Sequence, residues 1–143
     1  MKYFKLEAEV AGGWGSRTLA DVSVHPPTVQ HLDFEFAGWS GDDVVATFPC
    51  YIVTRTLADR LRASDLSGWR LLGVEISRSA EFDELYPDLE LPQFERLSPI
   101  GVAGVDDIGA TPIADLILSE RALAMFKEHR LTQSAVSEWS RSP

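Results

Sequence analysis

The sequence is poor in cysteine and histidine: among 143 residues it has one cysteine, Cys50, and three histidines. A single cysteine excludes an intramolecular disulfide and favours a reducing compartment. His25, His31 and His129 stand far apart along the chain, so the Cys and His spacing of a zinc site is missing. We therefore predict no metal site and no bound cofactor.

Long apolar runs are also missing. Charged residues interrupt the first ten positions every second or third residue, so the apolar core of about 7–15 residues that a signal peptide needs is absent there. No stretch approaches the roughly 18 uninterrupted apolar residues of a membrane helix. We expect a cytoplasmic protein.

Positive charge is scarce relative to negative charge. Lys and Arg number 13 against 22 Asp and Glu, which gives a net charge of −9. Such a surface repels phosphate and argues against nucleic acid and anionic membranes as partners, whereas it attracts a basic protein. The apolar fraction of 45% is that of a globular chain, and the length fits a single globular domain over residues 1–143.

The apolar pattern predicts an α+β fold with an antiparallel or mixed sheet. Period-two alternation indicates strands at residues 3–10 and 31–36, with Leu32, Phe34 and Phe36 facing inward and Asp33 outward. Further strands are predicted at residues 18–24, 44–48, 69–76 and 96–102, and a glycine-rich loop at residues 11–16. Two main helices are expected in strand-helix-strand units, each beginning after a capping hydroxyl, Thr54 or Ser119.

The two predicted helices and their flanks match each other at a spacing of 65 residues. The matched pairs are Ile52 and Ile117, Thr54 and Ser119, Leu57 and Ala122, Leu61 and Phe126, and Leu66 and Leu131. An internal duplication accounts for this match. The ordinary recurrence of strand, cap and helix accounts for it equally well.

Residues 81–95 contain six carboxylates, two prolines and no basic residue. We predict an irregular acidic stretch that forms an electrostatic landing surface for a protein partner, with aromatic side chains as anchors. The alternative is a solvated loop. The residues predicted to bind the partner are Glu81, Asp83, Glu84, Tyr86, Asp88 and Glu90.

Recognisable catalytic patterns are missing from the sequence. It has no Gly-x-Ser-x-Gly elbow, phosphate loop or dinucleotide fingerprint, and we predict no catalytic residues. Cys50 has two interpretations, a nucleophile or a small buried hydrophobe. The acid pairs Asp42–Asp43 and Asp106–Asp107 lie in glycine-flanked turns; they either stabilise those turns or supply oxygen to calcium.

Several stretches together resemble a group of small bacterial immunity-like proteins encoded beside polymorphic toxins that are delivered by contact-dependent or type VI systems. The segment Leu118-Ser119-Glu120-Arg121 is similar to the apolar strand, Val-Ser-Glu-Arg and helix with which such proteins end. The resemblance extends from about residue 30 to residue 136. It rests on residues 33–36, 41–45, 51–61, 66–68, 91–97, 104–109 and 116–123.

The resemblance implies a non-catalytic protein that binds and neutralises a cognate toxin, and the acidic charge indicates a basic toxin. Gln133-Ser134 stands where the earlier copy of the repeat has Gly68-Trp69, which departs from the repeat. Two alternatives remain open. One is a structural module that forms a homodimer through an exposed strand edge, and the other is an enzyme that uses Cys50 or a carboxylate pair.

Overall fold

The computed structural model describes residues 1–141 and shows an α+β fold with mixed and antiparallel sheets. The three helices of this part are α1 (Arg55–Arg62), α2 (Ala80–Leu85) and α3 (Glu120–Phe126). Its strands are β1 (Tyr3–Glu7), β2 (Glu9–Val10), β3 (Gly12–Trp14), β4 (Leu19–Asp21), β5 (Thr28–His31), β6 (Asp33–Phe36), β7 (Val44–Thr47), β8 (Cys50–Thr54), β9 (Trp69–Leu72), β10 (Glu75–Arg78), β11 (Phe94–Pro99), β12 (Gly101–Val102), β13 (Ile108–Ala110), β14 (Leu116–Ser119) and β15 (Ala135–Trp139). None of the helices in residues 1–141 combines the length and apolar character that a bilayer crossing requires.

Two five-stranded sheets have the same topology. The first sheet has the order β2-β7-β8-β11-β9 and the second has the order β12-β13-β14-β1-β15. In each sheet the outermost short strand, β2 or β12, runs parallel to its neighbour, and the other pairings are antiparallel. A helix leaves the third strand of each sheet and leads back to the strand at its far edge, α1 in the first sheet and α3 in the second.

The fourth strand of each sheet comes from the opposite half of the chain. β11 lies in the first sheet, where Phe94 pairs with Thr54, and β1 lies in the second, where Tyr3 pairs with Ser119. Thr54 and Ser119 are the same matched pair that the sequence repeat identified. The similarity of the two halves is therefore larger than the short sequence match, because each half forms a sheet of the same topology and contributes one strand to the other sheet. This supports an internal duplication.

The predicted helix caps are confirmed. The Thr54 hydroxyl accepts a hydrogen bond from the N–H of Leu57, and the Ser119 hydroxyl accepts one from the N–H of Ala122. Each helix buries one apolar face in a cluster that also contains residues of both large sheets. Burial of each large side chain stabilises the fold by about 1.5–3 kcal/mol. The fully or nearly fully buried residues of the two helices are Leu57, Ala58, Leu61, Ala122, Leu123, Met125 and Phe126.

A second apolar cluster lies on the other side of the first sheet. The three-stranded sheet β10-β6-β3 and helix α2 supply much of it. Phe34, Phe36 and Phe82 are completely buried there, and the ring of Phe36 lies 5.2 Å from that of Phe94. The inward positions predicted for Phe34 and Phe36 are thus confirmed. The acidic stretch packs on this cluster through Phe82.

Several predicted strands differ from the observed ones because of contacts that are remote in sequence. Residues 3–10 form two strands in two different sheets, not one strand. The predicted loop at residues 11–16 contains strand β3, and a Cβ on Gly12 would collide with the carbonyl of Glu35 in the neighbouring strand. Asp33 is buried, not outward, because Ser77 and Thr18 supply hydrogen bonds to it.

Candidate partner-binding surface

The acidic stretch begins as a helix, which corrects the prediction of a wholly irregular segment. Ser79 caps α2 by accepting a hydrogen bond from the N–H of Phe82 at 3.0 Å, and the ring of Phe82 is completely buried. Because Phe82 points into the second apolar cluster, Glu81 and Glu84 point outward. The Ser79 cap and the buried Phe82 thus fix α2 in place, and its carboxylates Glu81 and Glu84 face solvent.

Arg78 fixes the chain that follows α2. Its guanidinium donates hydrogen bonds to the carbonyls of Tyr86 at 3.0 Å and Leu89 at 2.7 Å, and it lies 4.2 Å from the ring centre of Phe82. The same group donates to Oδ1 of Asp83 at 2.7 Å. Asp83 is therefore engaged within the chain, and the carbonyl bonds hold the acidic stretch in one conformation.

Four of the predicted carboxylates remain exposed without an internal counterion. Within residues 1–141, none of the four forms a salt bridge. The tyrosine of the predicted set, Tyr86, is 46% exposed, and its ring packs 5.7 Å from that of Phe82. We call these five residues the acidic surface: Glu81, Glu84, Tyr86, Asp88 and Glu90.

A shallow notch of about 380 Å³ lies beside the acidic surface. Tyr86 borders it on one side and Glu9 and Val10 of β2 border it on the other. Trp39 also lines the notch; its ring packs edge-on against Phe94 and its indole N–H donates to the carbonyl of Asp42 at 2.9 Å. The notch thus lies between the acidic surface and edge strand β2 of the first sheet.

The carboxylate of Asp42 is used inside the fold. It is completely buried and accepts three hydrogen bonds of 2.7–2.9 Å, from the N–H and hydroxyl of Thr132 and from the N–H of Gln133. Its neighbour Asp43 accepts from the Thr54 hydroxyl at 2.6 Å. Asp43 also accepts from the N–H of Arg130 at 2.7 Å, so both acids join the two halves of the chain.

Asp107 has the corresponding role in the second half. It accepts from the Ser119 hydroxyl at 2.7 Å, from the N–H of Ser67 at 3.0 Å and from the Arg121 guanidinium at 2.7 and 2.9 Å. The pKa of the Asp107 carboxyl is well below its usual range, chiefly because Arg121 donates to it, although burial opposes the shift. The local turn-stabilising interpretation fits Asp106, which accepts from the N–H of Val102 at 2.7 Å. The carboxylates of Asp42, Asp43 and Asp107 instead bond to residues that are remote in sequence.

Metal-ligand geometry is absent from the part of the chain that the structure describes. Between Met1 and Arg141 no three His, Cys, Asp or Glu side chains are grouped so that they could hold a metal ion. The histidines are separate: His25 stacks 5.9 Å from Phe48, and His31 contacts the carboxylate of Glu75.

Cys50 is a buried side chain in β8 with 3% exposure. Burial raises the pKa of its thiol, and the charge of Arg96 only partly offsets this. The thiolate is the nucleophilic form of cysteine, so a raised pKa leaves Cys50 a poor nucleophile at neutral pH. The interpretation as a small buried hydrophobe describes it better than that of a nucleophile.

A groove lies at the crossing of β1 into β2, which is the point where the chain passes from the second sheet to the first. This groove was not predicted from the sequence. Its volume is about 600 Å³, and its lining includes Glu7, Glu9 and Asp115 together with the half-exposed ring of Phe48. Asp115 is far from Glu7 and Glu9 along the chain, and only the strand exchange brings the three together. One local indication of this acidic groove was present in the sequence, the alternation that places Glu7 and Glu9 on the same face of residues 5–9.

No family model, no curated protein and no solved structure matches this chain.

Proposed function

We propose that the chain is a non-catalytic, immunity-like protein that binds a basic toxin and neutralises it by contact. The observation that carries the proposal is the acidic surface, in which four carboxylates without a counterion in residues 1–141 flank a half-exposed tyrosine in sequence, on a segment anchored by Arg78. Occlusion of a toxin needs a complementary surface and no reaction step.

The electrostatics favour fast association with a basic protein. The net charge of −9 gives the whole molecule a negative potential, and the acidic surface adds four exposed carboxylates in α2 and the chain that follows it. Such fields raise association rates by roughly 10–1,000-fold, and the gain falls with salt. An inhibitor that must intercept a toxin before it acts benefits from this rate.

The apolar side chains beside the carboxylates supply the anchors that such an interface uses. Leu85 is 66% exposed and Tyr86 is 46% exposed, yet Tyr86 packs on a buried ring. A side chain that is already ordered loses little entropy on binding, and tyrosine is enriched among the residues that dominate interface energies. A buried, unpaired Cys50 fits action in the reducing cytoplasm.

Growth protection tests this function. The proposal predicts that the gene directly upstream encodes the toxin. That gene is induced in cells that express the wild-type chain, the variant E81Q/E84Q/D88N/E90Q, or the control D65N/E120Q/E128Q/E138Q. The control removes the same four charges from exposed sites elsewhere. We expect wild type and control to protect and the acidic-surface variant to lose protection.

Two results would contradict the proposal. Growth arrest in cells that express the wild-type chain would show that it does not neutralise this toxin. Full protection by the acidic-surface variant would show that binding uses another surface. Equal soluble amounts of the three chains, checked by immunoblot, exclude misfolding as the cause of a loss.

The self-association alternative has one structural feature in its favour. β15 is an edge strand of the second sheet, and residues 135–138 are exposed. An open edge can pair with a second copy, although the charge of Glu138 on this edge disfavours it. Sedimentation velocity decides between them: a sedimentation coefficient independent of concentration supports the monomeric binding protein, and a shift to the dimer value supports pairing.

A further inference from the structure

The groove at the crossing of β1 into β2 is lined by strands of both large sheets. Leu6 and Glu7 contribute from the second sheet, and Glu9 and Val10 contribute from the first. Its volume of about 600 Å³ lies within the range of pockets that bind small molecules or side chains. The strand exchange therefore creates a concave feature at the boundary of the two halves.

Much of the groove is apolar and accessible. The ring of Phe48 is 52% exposed and is held by His25, whose ring centre lies 5.9 Å away. Val10 is 75% exposed on the same side. Exposed apolar side chains gathered beside a cavity mark interaction surfaces more often than scattered ones do.

The charged part of the groove is negative. Glu7 pairs with Lys5 at 3.0 Å, and Glu9 accepts a hydrogen bond from the Ser40 hydroxyl at 2.8 Å. Within residues 1–141 the carboxylate of Asp115 makes neither a salt bridge nor a hydrogen bond; only its backbone atoms are bonded, to Thr111. Three carboxylates thus line the groove, and the nearby Lys5 pairs with one of them, Glu7.

The ionisation of two neighbouring groups reflects this negative field. The pKa of Tyr51, which lines the groove, is raised to about 12, first by burial and then by the charge of Asp115. The pKa of Lys5 is also raised, mainly by its hydrogen bond to Glu7 and further by Asp115. The raised pKa values keep the Tyr51 phenol neutral and the Lys5 amine charged, and the nearby carboxylates contribute to both shifts.

We propose that the groove takes an extended segment of the protein partner in which a lysine or arginine stands beside an apolar residue. This inference rests on the proposed function and names the part of the toxin that is recognised. The aliphatic stem of Lys or Arg packs on surfaces such as Phe48 and Val10 while the cationic head reaches carboxylates such as Asp115. An acidic groove with apolar walls suits this class of side chain.

The groove and the acidic surface belong to one continuous face. The notch described above shares Glu9 and Val10 with the groove and borders Tyr86 of the acidic surface. A partner segment that crosses the notch would therefore meet carboxylates at both ends. Charge complementarity along this path selects a basic protein segment as the occupant.

Peptide titrations monitored by amide chemical shifts in NMR test the inference without the toxin. The probes are acetyl-Leu-Arg-Leu-Arg-Leu-amide and, as a control, the same peptide with Glu for Arg. We expect the arginine peptide to shift the amides of Glu9, Tyr51 and Ala135, and the glutamate peptide to leave them unchanged. The variant E7Q/E9Q/D115N should weaken the arginine peptide by about tenfold or more.

Matched variants separate charge from folding. D65N/E128Q/E138Q removes three carboxylates elsewhere and should bind the arginine peptide as the wild type does. D115N removes a carboxylate that holds no other side chain, so it should keep the wild-type unfolding transition and still weaken binding measurably.

The outcomes distinguish this inference from the function on which it rests. Absence of groove shifts, equal binding by the glutamate peptide, or unchanged binding by E7Q/E9Q/D115N would overturn the groove proposal. Groove shifts that depend on protein concentration without peptide would show that a second copy occupies it, which also overturns the proposal. Peptide binding in the groove by a chain that fails to protect cells would instead overturn the toxin-neutralising function.

Discussion

Asp42, in the turn before β7, accepts hydrogen bonds from both the N–H and the hydroxyl of Thr132, which follows α3 in the other half of the chain. In return, Asp107 of the second half accepts from the N–H and hydroxyl of Ser67, which follows α1. Each half of the chain therefore contributes an aspartate that accepts hydrogen bonds from the other half. With the exchanged strands β1 and β11, these bonds make the two sheets one interlocked structure.

Removal of the Asp42 carboxylate should destabilise the fold substantially. D42A removes the buried carboxylate that accepts three hydrogen bonds from Thr132 and Gln133, and a hydrogen bond to a charged group contributes about 1.5–3 kcal/mol. We expect a loss of roughly 2–5 kcal/mol in the free energy of unfolding, measured by urea denaturation. D88N, on the acidic surface, is the control and should change stability by less than about 0.5 kcal/mol; a D42A value as small as that would contradict the reciprocal role.

Asp107 should make stability depend on pH in acid. Because the folded pKa of this carboxyl is depressed, its contribution is fully present above the unfolded pKa of about 3.9 and is lost as pH falls towards the folded value. In D107N this part of the pH dependence disappears. We expect the stability difference between wild type and D107N to be constant above about pH 5 and to shrink below about pH 4, as measured by urea denaturation. A difference that stays constant to about pH 2 would show that the carboxylate is not stabilised in the fold.

Loss of the Arg78 guanidinium should loosen the acidic stretch without unfolding the protein. R78A removes the donors to the carbonyls of Tyr86 and Leu89. Amide hydrogen exchange over residues 82–89 should become about tenfold faster or more, because local opening then breaks fewer contacts. R70A is the matched control, since Arg70 is exposed in edge strand β9. Equal exchange in wild type and R78A would mean that the stretch is held by other contacts.

Cys50 should react slowly with thiol reagents in the native protein. Its burial and raised pKa both lower the concentration of accessible thiolate at neutral pH. Labelling with a chromogenic disulfide reagent should be about a hundredfold slower, or more, in buffer than in concentrated urea. Native labelling as fast as that of the unfolded chain would instead favour the enzyme alternative that uses this cysteine.

The parts of the fold that depend on local chemistry could be predicted from the sequence. Thr54 and Ser119 cap helices because their hydroxyls reach an N–H three residues ahead, a contact that needs no knowledge of the tertiary structure. Phe34 and Phe36 face the core because alternation fixes the faces of a strand. The α+β class followed from these local patterns.

Features that depend on distant partners could not be predicted. The crossing of β1 into β2 needs β14 and β7 to be in place, so alternation over residues 3–10 indicated one strand. Asp33 looked like an outward residue because its donor Ser77 is remote in sequence. Helix α2 had a local signal, the cap Ser79, but the acidic and proline-rich composition that follows obscured it.

The same distinction applies to the candidate site. The carboxylates of the acidic surface could be predicted because they lie within ten residues of one another, whereas the pairing of Asp83 with Arg78 and the groove around Asp115 arise from folding. Composition gives the sign of the protein's own charge. Only the structure shows which carboxylates lack a counterion within residues 1–141.

The most direct test of the central claim is the dissociation constant between the purified chain and the product of the gene directly upstream, the proposed toxin, measured calorimetrically at low and high salt. We predict a one-to-one complex that weakens as salt rises, and a loss of affinity of about tenfold or more together with a flatter salt dependence for E81Q/E84Q/D88N/E90Q. A chain that shows no heat of binding, or a variant with the affinity and salt dependence of the wild type, would contradict it.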